Sequence, residues 1–282
     1  MPEPVRFPSL CALHPNFICG IVILFGVVFL VQWNQESPPA PLVRLSDRDL
    51  RAITTARDKI DCIPSHSQSG EETIAKNQFF SGMHNGTYVE IGGLNGIKLS
   101  NTLMLHTCLR WNGLLVEANP RNFEKMRRNV ALTRPNAQIV ESAVCKPPTT
   151  SVRFTLRDNE VSAAWDQMSD GFKQRWHNKP EYLVDVHCEP MSQILQKANL
   201  ARIDLFSLDV EGAELIVLET IDFSKVAIGL FIIEFDGTDF MKERKIRVLL
   251  RNAGYVECAV NEERNAYFLH KDYPAKAVPQ CA

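Results

Sequence analysis

The sequence predicts an α/β fold: a mainly parallel sheet covered by helices on both faces and closed by an antiparallel pair. Three stretches carry this expectation. In Leu205-Phe206-Ser207-Leu208-Asp209-Val210-Glu211-Gly212-Ala213-Glu214, an apolar strand delivers two carboxylates to its end, Gly212 turns the backbone, and a helix opens at Glu214. Gly86-Thr87-Tyr88-Val89-Glu90-Ile91-Gly92-Gly93-Leu94-Asn95-Gly96 runs from a strand into a glycine-rich turn, with a helical pattern beyond it. Gly113-Leu114-Leu115-Val116-Glu117 is a third apolar strand ending in an acid. Near-continuous apolar strands alternating with helical patterns are the mark of a parallel sheet buried on both faces.

The remaining elements follow in order. Residues 46–60 read as a charged helix with Ser46 as its cap. Asn119-Pro120 caps a helix through Val130 that places Phe123, Met126 and Val130 on one face. Ala137 to Val144 is the next strand, and Val152 to Leu156 starts an excursion. The polar segment Arg157 to Glu181, with Trp165, Trp176 and His177, interrupts the α/β rhythm and is expected to set substrate specificity. His177 is read as a solvated residue, with a general-base role as its alternative; His106 and His187 are read as structural. Ile228 to Phe235 is a buried strand ending in Glu234, and Gly254 to Cys258 with Asn265 to Leu269 forms the closing pair.

Ligands of open α/β sheets bind beyond the carboxyl ends of the strands. Gly92 and Gly96 permit close approach there, and Glu117, 21 positions past Gly96, lies where a ribose is gripped by its hydroxyls. Neither G-x-G-x-x-G nor a P-loop occurs, and Glu90 just before the glycines repels a pyrophosphate while accepting a hydrogen bond from an amino group. S-adenosylmethionine, with its amino-acid end, free ribose hydroxyls and no phosphate, suits this pattern better than NAD or ATP. The expected cofactor-binding set is Glu90, Gly92, Gly96, Glu117, Asn119, Ser142 and Asp209, with Ser142 approaching the adenine. Asp209 and then Glu234 are the candidate catalytic residues, placed to position an acceptor; two oxygen ligands plus waters also suit Mg²⁺. Positioning donor and acceptor supplies most of the rate of such a transfer.

Glu90-x-Gly92-x-x-x-Gly96, Val116-Glu117-Ala118-Asn119-Pro120 and Leu208-Asp209-Val210-Glu211-Gly212-Ala213-Glu214 resemble the FkbM-type methyltransferase family over about residues 79–270. Asn85-Gly86-Thr87-Tyr88, Ser100-Asn101-Thr102-Leu103 and Gly113 to Glu117 are similar to the Star-like subgroup of animal membrane proteins. The resemblance implies a Rossmann-like methyltransferase fold. For the subgroup it implies single-span type II topology and secretory trafficking of growth-factor precursors.

The 282 residues, 45% hydrophobic and 23% charged, suffice for a substantial core, and a net charge of −2 gives no electrostatic case for nucleic acid. Phe17 to Val31 is an unbroken apolar or glycine run that rises roughly 22 Å as a helix. That is short of a hydrocarbon core of about 30 Å but closer to thin early-secretory membranes. An uncleaved signal anchor is expected, because no small-residue cleavage site follows Val31; a cleaved signal peptide is the rival. The expected layout is a cytoplasmic tail over 1–16, a transmembrane helix over 17–33, a Pro-rich stalk over 34–45 and the domain over 46–282. Arg6 before the span and Glu36 after it favour a lumenal or extracellular domain in ER, Golgi or endosomal membranes.

Asn85-Gly86-Thr87 is an N-glycosylation triplet. Six of eight cysteines lie in the domain, enough for three disulfides, and none is spaced C-x-x-C for zinc. Cys145 and Cys188 end the two strands flanking the excursion and are expected to bridge, or else to pack as small buried thiols; Cys108, inside a helix pattern, fits a buried free thiol.

Two functions follow. One is a membrane-anchored S-adenosylmethionine-dependent O-methyltransferase acting on a hydroxyl of a small molecule, glycan or lipid. The other is a non-catalytic Star-like protein that traffics membrane-protein cargo. A scaffold has no packing reason to hold acids at three strand ends, whereas a lumenal domain needs its cofactor imported.

Overall fold

The computed structural model describes residues 17–24, 27–34, 62–81, 83–156, 160–177, 179, 182–235, 237–274 and 281. The chain divides into two units, Met1–Thr55 and Ala56–Ala282. In the first, β1 (Phe17–Leu24) and β2 (Val27–Asn34) form an antiparallel pair from Phe17↔Asn34 to Leu24↔Val27. This corrects the transmembrane helix expected over 17–33. A short apolar run reads alike as strand or buried helix, and its Val, Ile and Phe content favours the strand. Among the described residues no helix is long and apolar enough to cross a membrane. The tail over 1–16 and the helix over 46–60 fall outside the described residues, as does the stalk beyond Asn34.

The second unit opens with α1 (Glu71–Ile74), which continues as a π-helical turn over Ala75–Phe79. Then come β3 (Thr87–Ile91), α2 (Leu103–Leu109), β4 (Asn112–Glu117), α3 (Pro120–Thr133) and β5 (Gln138–Glu141). A small sheet is built from β6 (Ala143–Val144), β7 (Ser151–Thr155) and β8 (Leu183–Glu189), with α4 (Asp170–Trp176) between its last two strands. The main fold resumes with α5 (Met191–Lys197), β9 (Arg202–Leu208), α6 (Glu214–Glu219), β10 (Ala227–Glu234) and α7 (Phe240–Asn252), and ends with β11 (Tyr255–Cys258) and β12 (Asn265–His270).

The main sheet has the order β11-β12-β10-β9-β3-β4-β5. Its five strands from β10 to β5 are parallel, and β12 runs antiparallel to both β10 and β11. The expected architecture is therefore present, closing pair included. Alternate residues of each strand feed two cores. Val89, Val116, Phe206 and Phe231 pack with α5, α6 and α7, while Tyr88, Leu115, Leu205 and Ile232 pack with α1, α2 and α3. Each fully buried side chain of this size stabilises the domain by roughly 1.5–3 kcal/mol.

The strand expected over 137–144 breaks at Ser142. Its first part pairs with β4, while Ala143 and Val144 pair with Cys188 and Glu189 of β8. Three disulfides staple the unit: Cys62–Cys108, Cys145–Cys188 and Cys258–Cys281. Cys108 is thus bridged, which corrects its reading as a free thiol. A single half-cystine on a helix carries no mark of a partner 46 residues away.

Candidate active site

From β3 the chain moves outward through β4 to β5, and from β9 it moves the opposite way to β10. The order reverses between β3 and β9, so their carboxyl ends diverge into helices on opposite sides and leave a crevice. It holds about 530 Å³, within the range of small-molecule sites. Gly92, Glu117 and Ser142 line one wall; Asp209, Glu211 and Glu234 line the other.

Gly92 has a φ of 83°, and a Cβ there would lie 1.8 Å from the Asp209 carbonyl oxygen. Glycine lets β3 and β9 touch at the crevice floor. Gly96 also has a positive φ, but a Cβ there would meet Val130 and Met126 of α3 at 3.0 and 3.1 Å. Its glycine serves helix packing, and the residue does not line the crevice.

Glu117 is buried, and its oxygens accept from the main-chain N–H groups of Leu94 (2.8 Å) and Asn119 (2.7 Å). A carboxylate has about four acceptor positions, so each oxygen keeps capacity for a ligand. Burial pushes the Glu117 carboxyl up to about 7, against the pull of these backbone bonds. The folded domain therefore favours the protonated form; that contribution is complete below pH 4.5 and is lost as pH rises through about 7. Glu117→Gln should accordingly gain on wild type across this window, by on the order of 1–3 kcal/mol. Thermal unfolding of both proteins from pH 4.5 to 8 checks this; a pH-independent difference rejects it.

Asn119 is buried and caps α3, its Oδ1 accepting from Arg121 N at 2.9 Å, so it shapes the site from behind and is not among the lining residues. Ser142 lines the crevice with its hydroxyl turned to the Ala143 carbonyl at 2.7 Å.

Glu90 is also held inside the fold. Its Oε1 accepts from Asn101 N at 2.9 Å; its Oε2 accepts from Ser100 Oγ at 2.9 Å and from Thr102 Oγ1, with Arg134 Nη1 at 3.5 Å. Fully buried Arg134 also donates to the Gly96 carbonyl and to Thr102 Oγ1. This network braces residues 96–102, and Glu90 does not line the crevice. Sequence reasoning passed over Arg134, since an arginine at a helix end reads as solvated.

On the opposite wall, carboxylate oxygens of Asp209, Glu211 and Glu234 lie within 4.8 Å of one another. Glu211, absent from the expected set, adopts a φ of 53° in the turn after β9, a conformation costing a non-glycine residue roughly 1–2 kcal/mol. Asp209 Oδ1 is buried without a hydrogen-bond partner. Burial first, and then the Glu234 and Glu211 charges, raise the Asp209 carboxyl well above the usual range. The convergence of three acids at one point, with Asp209 the most deeply held, makes its carboxyl the most basic of the group. Behind them Glu214 accepts from Gly212 N at 2.9 Å and from Lys242 Nζ at 2.7 Å, fixing the turn.

The excursion contributes to the lining. Val161, Ala164, Phe172, Arg175 and Trp176 all line the crevice, and Ser169 Oγ meets Thr238 Oγ1 at 2.7 Å. His177 is buried, its Nε2 is 3.0 Å from the Val161 carbonyl, and its ring packs on Phe172 and Trp165. It is neither solvated nor at the crevice, contrary to expectation. His106, half-buried with its Nδ1 3.1 Å from the Tyr88 hydroxyl, is structural as read, and His187 sits in β8.

Strand order, the antiparallel β12 and a crevice at the switch point define a Rossmann-like methyltransferase fold. The profile described as Methyltransferase FkbM domain matches residues 82–257, and the chain belongs to that family. No curated protein matches the chain. Among solved structures, it is similar to a precorrin-6y C5,15-methyltransferase from Geobacter metallireducens, at 11% identity over 74% of this chain and 96% of that one, with a TM-score of 0.39. An S-adenosylmethionine-dependent methyltransferase from Aquifex aeolicus shows 13% identity over 77% and 98%, also at 0.39. Aeropyrum pernix fibrillarin with S-adenosylmethionine bound shows 12% identity over 66% and 67%, at 0.36. Superpositions at this level add no argument to the topology.

Proposed function

We propose that the domain binds S-adenosylmethionine in this crevice and transfers its methyl group to a hydroxyl oxygen. The observation that carries the reading is Glu117, a buried carboxylate at the end of β4 with acceptor capacity directed to an open cavity. Once ionised, above its raised range near 7, it suits two ribose hydroxyls, each then a charge-assisted bond of roughly 1.5–3 kcal/mol. The walls offer six carboxylates against three basic side chains, which favours a sulfonium cation and disfavours an anionic acceptor. The cofactor supplies the electrophilic methyl group. The chain's own part is to align the acceptor and to take its proton at Asp209, whose raised basicity beside Glu234 suits a general base. A divalent ion at Asp209, Glu211 and Glu234 has only the convergence of acids behind it.

Three disulfides support a non-cytoplasmic compartment. Membrane attachment through residues 17–33 rests on their apolarity. The trafficking reading rests on the Star-like resemblance, and an open crevice with an acidic floor favours catalysis over it.

Calorimetric titration of the protein with S-adenosylmethionine tests the reading. Wild type should bind, and Glu117→Ala should bind at least about tenfold more weakly, the equivalent of 1.4 kcal/mol or more, without unfolding. Equal affinities would remove Glu117 from the site, and no binding by wild type would reject the function.

A further inference from the structure

We infer that Asn85 is an N-glycosylation site, modified at the end of the domain opposite the crevice. Asn85-Gly86-Thr87 is the one Asn-X-Ser/Thr triplet with X other than proline in the 282 residues. The chemistry needs an accessible asparagine amide, a hydroxyl two residues on, and a chain exposed to the secretory lumen.

The structure meets the first two requirements. Asn85 is exposed, as is His84 before it, in the turn that leads into β3. Its φ of 58° and the 3.0 Å bond from its N–H to the Leu109 carbonyl hold the main chain, while the side chain stands at the surface. The fold accounts for the other two positions without using the features the modification reads. Gly86 is required because a Cβ there would lie 2.5 Å from the Trp111 ring. Thr87 donates its main-chain N–H to Asp204 Oδ2 at 2.8 Å, and among the described residues no hydrogen bond uses its hydroxyl. The left-handed backbone favours an asparagine at position 85 but leaves its amide exposed, and packing does not demand the threonine oxygen.

Two further observations bear on compartment and tolerance. All six cysteines of the second unit are bridged, as expected of a chain folded where disulfides persist. The triplet precedes the five-residue β3, whose far end opens on the crevice. About 16 Å of strand separates the two, so a glycan leaves the mouth clear.

In the step itself, the Asn85 amide nitrogen forms a bond to the anomeric carbon of a lipid-linked oligosaccharide pyrophosphate. The bond from that carbon to the pyrophosphate oxygen breaks, the lipid pyrophosphate leaves, and the amide loses one proton.

The test is expression of the full chain in cells with a secretory pathway, followed by N-glycosidase digestion. Wild type and Thr87→Ser should each gain mobility by one step, whereas Asn85→Gln and Thr87→Ala should run at the digested position without treatment. Thr87→Ser guards against a folding artefact, because it keeps the hydroxyl and changes the side chain. Peptide mapping after digestion in heavy-oxygen water should find Asn85 converted to labelled aspartate. Alkylation without reduction reports the cysteines of the same sample. Unmodified Asn85 in a disulfide-bridged chain overturns the site. Unmodified Asn85 with free thiols overturns both the site and the compartment. Calorimetry of Asn85→Gln with S-adenosylmethionine should match wild type, so the glycan proposal and the cofactor reading fail independently.

Discussion

Gly92→Ala should destabilise the domain by about 3–5 kcal/mol, the largest effect expected of any single methyl group added here. Two costs combine. The φ of 83° is unfavourable for any residue with a Cβ, and the added carbon would lie 1.8 Å from the Asp209 carbonyl oxygen. That oxygen belongs to main chain held by the Asp209 N–H to Ile91 carbonyl bond, so it does not swing aside as a side chain would. Gly70→Ala is the control: its φ of 84° imposes the backbone cost, while nothing lies within 4 Å of the added carbon. A domain of this size loses roughly 2–4 °C of melting temperature per kcal/mol, so Gly92→Ala should melt about 10 °C lower and Gly70→Ala only a few degrees lower. Matching losses in the two variants would show that β3 and β9 do not close on each other at the crevice floor.

Removing the Cys145–Cys188 bridge should cost about 4 kcal/mol in the chain-entropy model, given its sequence separation of 43. The bridge ties β6 to β8, and Ala143 and Val144 beside it line the crevice. Both cysteines are buried, so the double alanine variant avoids leaving a polar group in their place. Urea unfolding of wild type and the variant under non-reducing conditions measures the difference. A loss below about 1 kcal/mol would mean that the wild-type cysteines are not bridged or that the excursion's base is already fixed by strand pairing.

Much of the domain was legible in the chain because its strands are buried on both faces, which leaves apolar runs with sharp ends. The strand before Glu117, the strand before Asp209, the Asn119 cap and the closing pair all announced themselves through local pattern. The bridge between Cys145 and Cys188 was readable for a related reason: both end strands that must meet where the chain leaves and re-enters the sheet.

What the pattern left open depended on contacts between distant residues. By itself the sequence determined the α/β architecture and the acids and glycines at its strand ends, since periodicity and turn chemistry are local properties. Tertiary structure alone decided which of those groups face a ligand. It withdrew Glu90 into the network with Ser100, Thr102 and Arg134, assigned Gly96 to helix packing, buried His177 and added Glu211. It also paired Cys62 with Cys108 and folded residues 17–24 and 27–34 as two strands. The physical reason is that a carboxylate's role depends on the donors within about 3 Å of it, and those donors come from segments tens of residues away that only packing brings together.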